Sequence, residues 1–313
     1  MFLDFAPMEG ITGYIFRNAH QACFGGIEKY FSPFITPKPG SGLSTREKND
    51  ILPEHNSSLH LVPQILGNQA EGFLMVAKLL EDMGYQEVNF NLGCPSGTVV
   101  PKKKGAGFLA ETEMLDRFLE EIFTKNPIAV SIKTRIGMYD PAEFEELLEI
   151  YNKYPVKELT VHARTREEYY QGNVHNESFA YAFTHSKAPV CCNGDLFSAK
   201  KIAEFSGQFP QADCVMIGRG LLIDPALATG EALQREKLKA FHDRLIADYL
   251  TVLAPKDTLF KMKELSSWFM RLFPDEEKAK KKIRKAQSLT EYKAAADWLI
   301  VNGRMEAVEK FVY

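Results

Sequence analysis

Several chemistries are made improbable by what the 313-residue chain does not contain. Its apolar runs fall far short of the roughly 20 residues a membrane helix needs, so no membrane span is expected. It has no CxxC and no HExxH, and its seven histidines are scattered, so no metal site is expected. Five cysteines (Cys23, Cys94, Cys191, Cys192 and Cys214) form an odd set without a paired framework, which predicts reduced thiols and a cytoplasmic protein. The opening MFLDFAPMEG has no basic stretch and carries Asp4, so a signal peptide is not expected. The first apolar run ends in Ala6-Pro7-Met8-Glu9-Gly10 rather than in GxGxxG, which argues against a Rossmann unit.

What is present is ordinary in bulk and uneven in charge. Hydrophobic residues make up 45% and charged residues 25%, as in a typical globular protein. Residues 236–313 hold 16 Lys+Arg against 12 Asp+Glu, a net of +4, whereas the whole chain is at −3. A basic tail on an acidic body points to a polyanionic partner.

Short apolar runs recur about every 25 to 40 residues, the length of a βα unit. They are 2–8, 27–35, 59–66, 87–93, 128–134, 158–164, 188–194 and 214–218, with helical periods at 71–84, 113–123 and 141–154 between them. Eight even units predict an α/β fold, a closed (β/α)8 TIM barrel rather than an open sheet. After residue 235 the strands stop, and helices are expected at 235–254, 258–273, 277–287 and 289–303. The expected division is a barrel domain over 1–235 followed by a small all-helical domain over 236–313.

Barrels carry their chemistry at the carboxyl ends of the strands. Here those ends offer Met8, Gln64, Asn91 with Cys94, Lys133 with Arg135, His162 with Arg164, Asn193, and Gly218 with Arg219. A mouth lined by this many polar groups would be desolvated at a cost unless a ligand met them. Loops after the seventh and eighth strands often form a phosphate site, and Asn193-Gly194 and Gly218-Arg219 fall there. In "NFNLGCP" (89–95), Cys94 sits between a glycine and a proline at a loop mouth. By itself that position fits an inert thiol, a metal ligand, a nucleophile or a proton donor.

The chain resembles the tRNA-dihydrouridine synthase family of FMN-dependent barrels. The resemblance rests on "APMEGITGYIFR" (6–17), "PQILG" (63–67), "NFNLGCPSGTVVPKKKGAGFL" (89–109), "SIKTRIG" (131–137), "LTVHARTREEYYQG" (159–172), "CNGDLFSA" (192–199) and "VMIGRGLLIDP" (215–225). It implies that Pro7 and Met8 lie beside the flavin ring and that Gln64, Lys133 and His162 contact it. Asn193, Gly194, Gly218 and Arg219 would hold the ribityl phosphate. Asn91 would meet the target uracil, Arg135 and Arg164 would lie near the uridine, and Cys94 would be the proton donor. NADPH or NADH would reduce the flavin, tRNA would be the partner, and a monomer is expected.

Within that resemblance, Lys278, Lys280, Lys281, Lys282, Arg284 and Lys285 are the candidate RNA contacts, and Lys102 to Lys104 are a loop that could steer RNA. Gly105-Ala106-Gly107 would let that loop close over the base. Three competing readings are an FMN barrel reducing a small pyrimidine (dihydroorotate-dehydrogenase-like), a non-catalytic RNA-binding barrel, and a hydrolase using Cys94 and His162. The last leaves the phosphate loops unexplained.

Overall fold

A computed structural model describes residues 1–38 and 42–309. Its strands are β1 (Phe2–Phe5), β2 (Tyr30–Phe31), β3 (Leu61–Val62), β4 (Gln64–Ile65), β5 (Glu87–Leu92), β6 (Ala129–Arg135), β7 (Leu159–His162), β8 (Val190–Asn193) and β9 (Cys214–Ile217). They form one sheet in the order β3-β2-β1-β9-β8-β7-β6-β5-β4, with parallel pairing. The two ends of that order are halves of a single run, "LHLVPQIL", split at Pro63, which has no N–H to give a ladder. The half before the proline pairs with β2 and the half after it with β5. Ile35 N donates to Gln64 O (2.8 Å) and Leu66 N to Ile35 O (2.8 Å), which joins the ends of the sheet. The eight expected staves are therefore present, and the parallel sheet is a TIM barrel.

The helices alternating with these strands are α1 (Tyr14–Cys23), α2 (Thr45–Ile51), α3 (Ala70–Asp82), α4 (Thr112–Lys125), α5 (Glu143–Tyr151), α6 (Asn176–His185), α7 (Ala199–Gln208) and α8 (Arg219–Ile223). The C-terminal region holds α9 (Arg235–Leu250), α10 (Pro255–Phe269), α11 (Glu277–Lys285) and α12 (Leu289–Asn302). The chain divides into two compact units, one of residues 1–7, 28–194 and 208–216, the other of 8–27, 195–207 and 217–313.

In the first unit, residues on each strand alternate between the helices and the barrel interior. Phe90 faces outward, where its ring stacks on Phe118 of α4 at 4.8 Å and meets Phe73 of α3 edge-on at 5.6 Å. Burying aromatic rings of this kind contributes roughly 1.5–3 kcal/mol each. The helix expected from Pro141 begins two residues later, because the Glu143 carboxylate accepts from the N–H groups of Met138 (2.7 Å), Tyr139 (2.9 Å) and Asp140 (2.8 Å). Helices α6 and α7 lie where the sequence has a thin apolar stripe: α6 buries Ser178, Phe179 and Ala182, and α7 buries Phe205.

In the second unit, α1 packs on α9 through Phe16 against Phe241 (5.5 Å, edge-on) and Phe24 against Phe241 (5.4 Å, edge-on). His20 is buried there with Nε2 2.9 Å from Pro225 O, and burial pushes it down to about 4, so the ring is neutral at pH 7. α10 starts with Pro255 in its first turn, three residues before the expected boundary, as suits a residue without an N–H to bond. Tyr292 of α12 ties the C-terminal helices together: its hydroxyl donates to Met262 O (3.2 Å) and lies 2.9 Å from His242 Nε2.

Candidate active site

The parallel register sorts the inward-facing side chains of the first unit into tiers. Gln64 is level with Asn89, and Asn89 with Ser131. One step higher, Asn91 is level with Lys133, Lys133 with Thr160, Thr160 with Cys191 and Cys191 with Cys214. The top tier runs from Arg135 to His162, Asn193 and Met216. Predicted residues from five strands (β4 to β8) are thus brought to adjacent levels at the carboxyl ends.

The lower tiers are hydrogen-bonded to one another. Gln64 Nε2 donates to Asn89 Oδ1 (2.8 Å), Asn89 Nδ2 to Ser131 Oγ (3.0 Å) and Asn91 Nδ2 to Gln64 Oε1 (2.6 Å). Asn89 and Ser131 are members of this network that strand-end reasoning missed. They lie two residues below the ends, on the inward face that the alternation would have identified. Asn91 Oδ1 accepts from Gly93 N (3.1 Å) and Cys94 N (3.0 Å), so this amide shapes the turn that presents Cys94. A primary amide carries two N–H bonds, so Gln64 and Asn91 each retain one beyond those described.

Lys133 differs from its neighbours. Among the described residues its ammonium makes no hydrogen bond and no ion pair, although the residue is largely buried. Removal from water, and secondarily the Arg135 guanidinium, push it down to about 8. A charge held here without a partner is what an anionic ligand edge would relieve.

The two arginines are structural anchors at the mouth. Arg135 is fully buried: Nε donates to Gly93 O (2.9 Å) and Nη1 to Thr165 O (2.8 Å), whereas Nη2 is buried without a hydrogen bond. Burial pushes Arg135 down to about 10. Arg164 donates from Nε to Gln171 O (3.0 Å) and from Nη2 to Gly172 O (2.8 Å), which pins the loop after β7. Its Nη1 lies 3.4 Å from His162 Nε2. A guanidinium can only donate, so in this contact His162 Nε2 is the acceptor. Tyr170, from the same loop and 37% exposed, was not anticipated: its ring lies 5.9 Å from His162, and the Arg135 guanidinium is 5.2 Å from its centroid. Glu168 holds that loop by accepting from Thr165 N (2.7 Å) and contacting His175 Nε2 (2.7 Å).

Cys94 is partly exposed, and its carbonyl accepts from Ala106 N (3.0 Å). The expectation that the following glycines make a flexible lid is revised by their packing. Gly105 has φ +54°, and a Cβ there would lie 2.8 Å from Cys94 O and 2.9 Å from Cys94 Cβ. Residues Gly105, Ala106, Gly107 and Phe108 are all buried. The glycines allow close approach to Cys94. In the same loop Lys103 pairs with Glu111 (2.8 Å).

The phosphate candidates are distributed between the two units. Asn193 and Gly194 belong to the first, where Asn193 Nδ2 donates to Met216 O (2.7 Å). Gly194 has φ +146°, and a Cβ there would lie 2.9 Å from Val174 Cγ2. Gly218 and Arg219 belong to the second, where Arg219 Nη2 pairs with Asp195 Oδ1 (2.8 Å) and lies over the Phe197 ring (5.2 Å). Pro7 ends the first segment of the first unit. Met8 opens the second, with its N–H donating to Thr12 Oγ1 (2.8 Å).

A closed parallel barrel with polar strand ends, continued by a helical C-terminal region, defines the class: a TIM-barrel protein with its candidate site at the carboxyl face. A mutant morphinone reductase in complex with tetrahydroNAD shares this fold with a TM-score of 0.51 at 13% identity, over 77% of this chain and 90% of its own. A family model described as "Dihydrouridine synthase (Dus)" matches residues 4–304, and the chain belongs to that family. Similar relatives are tRNA-dihydrouridine synthase B of Pasteurella multocida, at 27% identity over 71% of this chain and 66% of that protein, and tRNA-dihydrouridine(16) synthase of Cupriavidus necator, at 30% over 72% of each.

Proposed function

We propose that this protein is a flavin-dependent tRNA-dihydrouridine synthase, reducing the C5=C6 bond of a uridine in tRNA with FMN and with NADPH or NADH as reductant. The observation that carries the reading is Lys133, a largely buried cation without a hydrogen-bond or ion-pair partner among the described residues, one tier below the mouth and level with the residue that shapes the Cys94 turn. Bound FMN, once reduced, supplies the hydride that adds to C6 of the uracil.

The residues of the chain have separable parts in that reaction. Lys133, charged at neutral pH, would hold the flavin and balance negative charge on it, with His162 as a second contact. The remaining N–H bonds of Gln64 and Asn91 would be available to the flavin and the uracil, while Asn91 Oδ1 holds the Cys94 turn and is itself held by Gln64. Cys94 donates the thiol proton to C5. Both Lys133 and Arg135 lie within electrostatic reach of Cys94, and cations there favour the thiolate that remains. Arg135 and Arg164 would hold the walls of the uridine site; Pro7 on the first unit and Met8 on the second are the candidates for contact with the flavin ring. The phosphate candidates are Asn193 and Gly194 on the first unit and, on the second, Gly218 and Arg219, whose guanidinium is already oriented by Asp195.

Residues 236–313 serve as the tRNA-binding domain of a cytoplasmic monomer. Lys278, Lys281, Lys282 and Lys285 are exposed there for phosphate contacts. Lys280 is withdrawn from that set because it is buried, with Nζ bonded to Pro274 O (3.1 Å) and Glu277 (3.0 Å).

The test is to incubate the protein with unmodified tRNA, FMN and NADPH and to analyse the digested tRNA for dihydrouridine. Wild type should form it, and Cys94→Ala should bind FMN but form little. Undiminished dihydrouridine from Cys94→Ala would remove the thiol from the mechanism.

A further inference from the structure

A groove of about 710 Å³ lies between α11 and α12. Its lining includes Ala279 of α11, Ala286 just past the end of that helix, and Ala294 and Ala295 of α12, whose methyl groups leave the space unfilled. Trp298, one turn beyond Ala294 and Ala295, contributes an indole that is 50% exposed. Lys278, Lys282 and Lys285, spaced i, i+4 and i+7 on α11, also line the groove.

The charges in the groove are not balanced internally. Among the described residues, none of these three ammonium groups makes a hydrogen bond or ion pair, whereas Lys280 and Arg284 of the same helix pair with Glu277 (3.0 and 3.1 Å). The acidic residues of the groove are engaged with backbone: Glu276 accepts from Arg304 N (3.3 Å) and Glu291 from Gln287 N (2.8 Å). An open indole beside uncommitted cations complements a planar base attached to phosphates. The base must be unpaired, since one stacked within a duplex offers no face to an indole.

We infer that the α11–α12 groove binds an unstacked nucleotide of the RNA substrate, its base on Trp298 and its phosphates at Lys278, Lys282 and Lys285. This subsite rests on the proposed function, which makes RNA the substrate, and it is distinct from the barrel mouth that would take the target uridine. It deepens that function by assigning the helical region a base-stacking contact in addition to phosphate attraction.

The chain has two tryptophans, so Trp268→Phe leaves Trp298 as the sole indole reporter in the full-length protein. Titration with unmodified tRNA transcript or with oligouridylate should quench Trp298, whereas a blunt RNA duplex should not. In filter binding, Trp298→Ala should lower tRNA affinity about tenfold and Trp298→Phe should recover most of it. Lys282→Gln with Lys285→Gln should reduce the slope of log affinity against log salt by about 1.4 if both meet single-stranded phosphates.

Unchanged Trp298 emission on tRNA binding, together with unchanged affinity of Trp298→Ala, would overturn the inference. So would emission that responds to protein concentration alone, which would make the groove an interface between copies. Dihydrouridine is scored on the same wild-type preparation. Product formation with a silent Trp298 and unchanged affinity of Trp298→Ala defeats the groove alone; quenching without any product defeats the proposed reaction and retains the groove as an RNA site.

Discussion

Replacing Lys133 with methionine should stabilise the flavin-free protein at neutral pH, the opposite of what removing a buried side chain usually does. The folded state pushes this lysine from its ordinary 10.5 down to about 8, by burial first and by Arg135 second. Below pH 8 the ammonium is charged both folded and unfolded, and the full penalty of burying it is present. The interval between the two values, at about 1.4 kcal/mol per pH unit, sets that penalty at no more than about 3.5 kcal/mol. Between pH 8 and 10.5 the unfolded chain retains a proton that the folded chain has released, so stability rises with pH and the penalty fades. Methionine keeps the unbranched stem and removes the charge.

The assay is urea unfolding of wild type and Lys133→Met at pH 7 and at pH 10, with flavin removed. Groups that titrate in both proteins cancel in the comparison. The variant should exceed wild type by about 1–3 kcal/mol at pH 7, with the gap narrowing at pH 10, and its FMN affinity should fall at least tenfold. A variant less stable than wild type at pH 7, or a gap that does not change with pH, would refute the account of Lys133 as an uncompensated cation.

Gly105→Ala must place a side chain at φ +54° against Cys94, a strain of about 1–2 kcal/mol before the steric contact is counted; it should slow dihydrouridine formation while FMN absorbance at saturation is unchanged. Asp4 is raised to about 7 by burial, then by Glu158, so its folded state loses stability as pH rises from 3.8 to 7. Asp4→Asn, which keeps an acceptor for Lys29 N, should therefore gain on wild type in thermal unfolding above pH 7 and lose that gain near pH 4. His175 is partly buried, which works against its charge, but Glu168 and Glu177 outweigh this and raise it. The stability it contributes is fully present below pH 6.5 and is lost as pH rises through the folded value. The stability difference between wild type and His175→Gln should accordingly shrink from pH 6 to pH 9 in urea unfolding.

Much of the barrel could be read along the chain, because strand runs and helical periods are local patterns. The runs at 87–93 and 128–134 became β5 and β6 almost residue for residue. The run at 59–66 could not be read fully, since its division at Pro63 into partners of β2 and β5 is a consequence of ring closure. Helices α6 and α7 were missed because each buries few apolar residues and so leaves little periodicity.

The candidate site shows the same division. Strand-end position alone was enough to select Gln64, Asn91, Lys133, Arg135 and His162, since alternation and parallel pairing leave few places for a polar residue to point. Their individual circumstances depend on neighbours that are remote in sequence: Arg135 on Gly93 and Thr165, Arg219 on Asp195, Asn91 on Gln64. Tyr170 and Trp298 gave no local signal because an aromatic residue in a loop or on a helix usually reads as packing; their exposure distinguishes them. By itself, then, the sequence determined the succession of barrel staves, the strongly amphipathic helices and the polar set at the strand ends. The tertiary structure alone decided which of those polar groups are already engaged and which, like Lys133, make no hydrogen bond or ion pair among the described residues, because hydrogen-bond partners and burial are set by chain segments that meet only on folding.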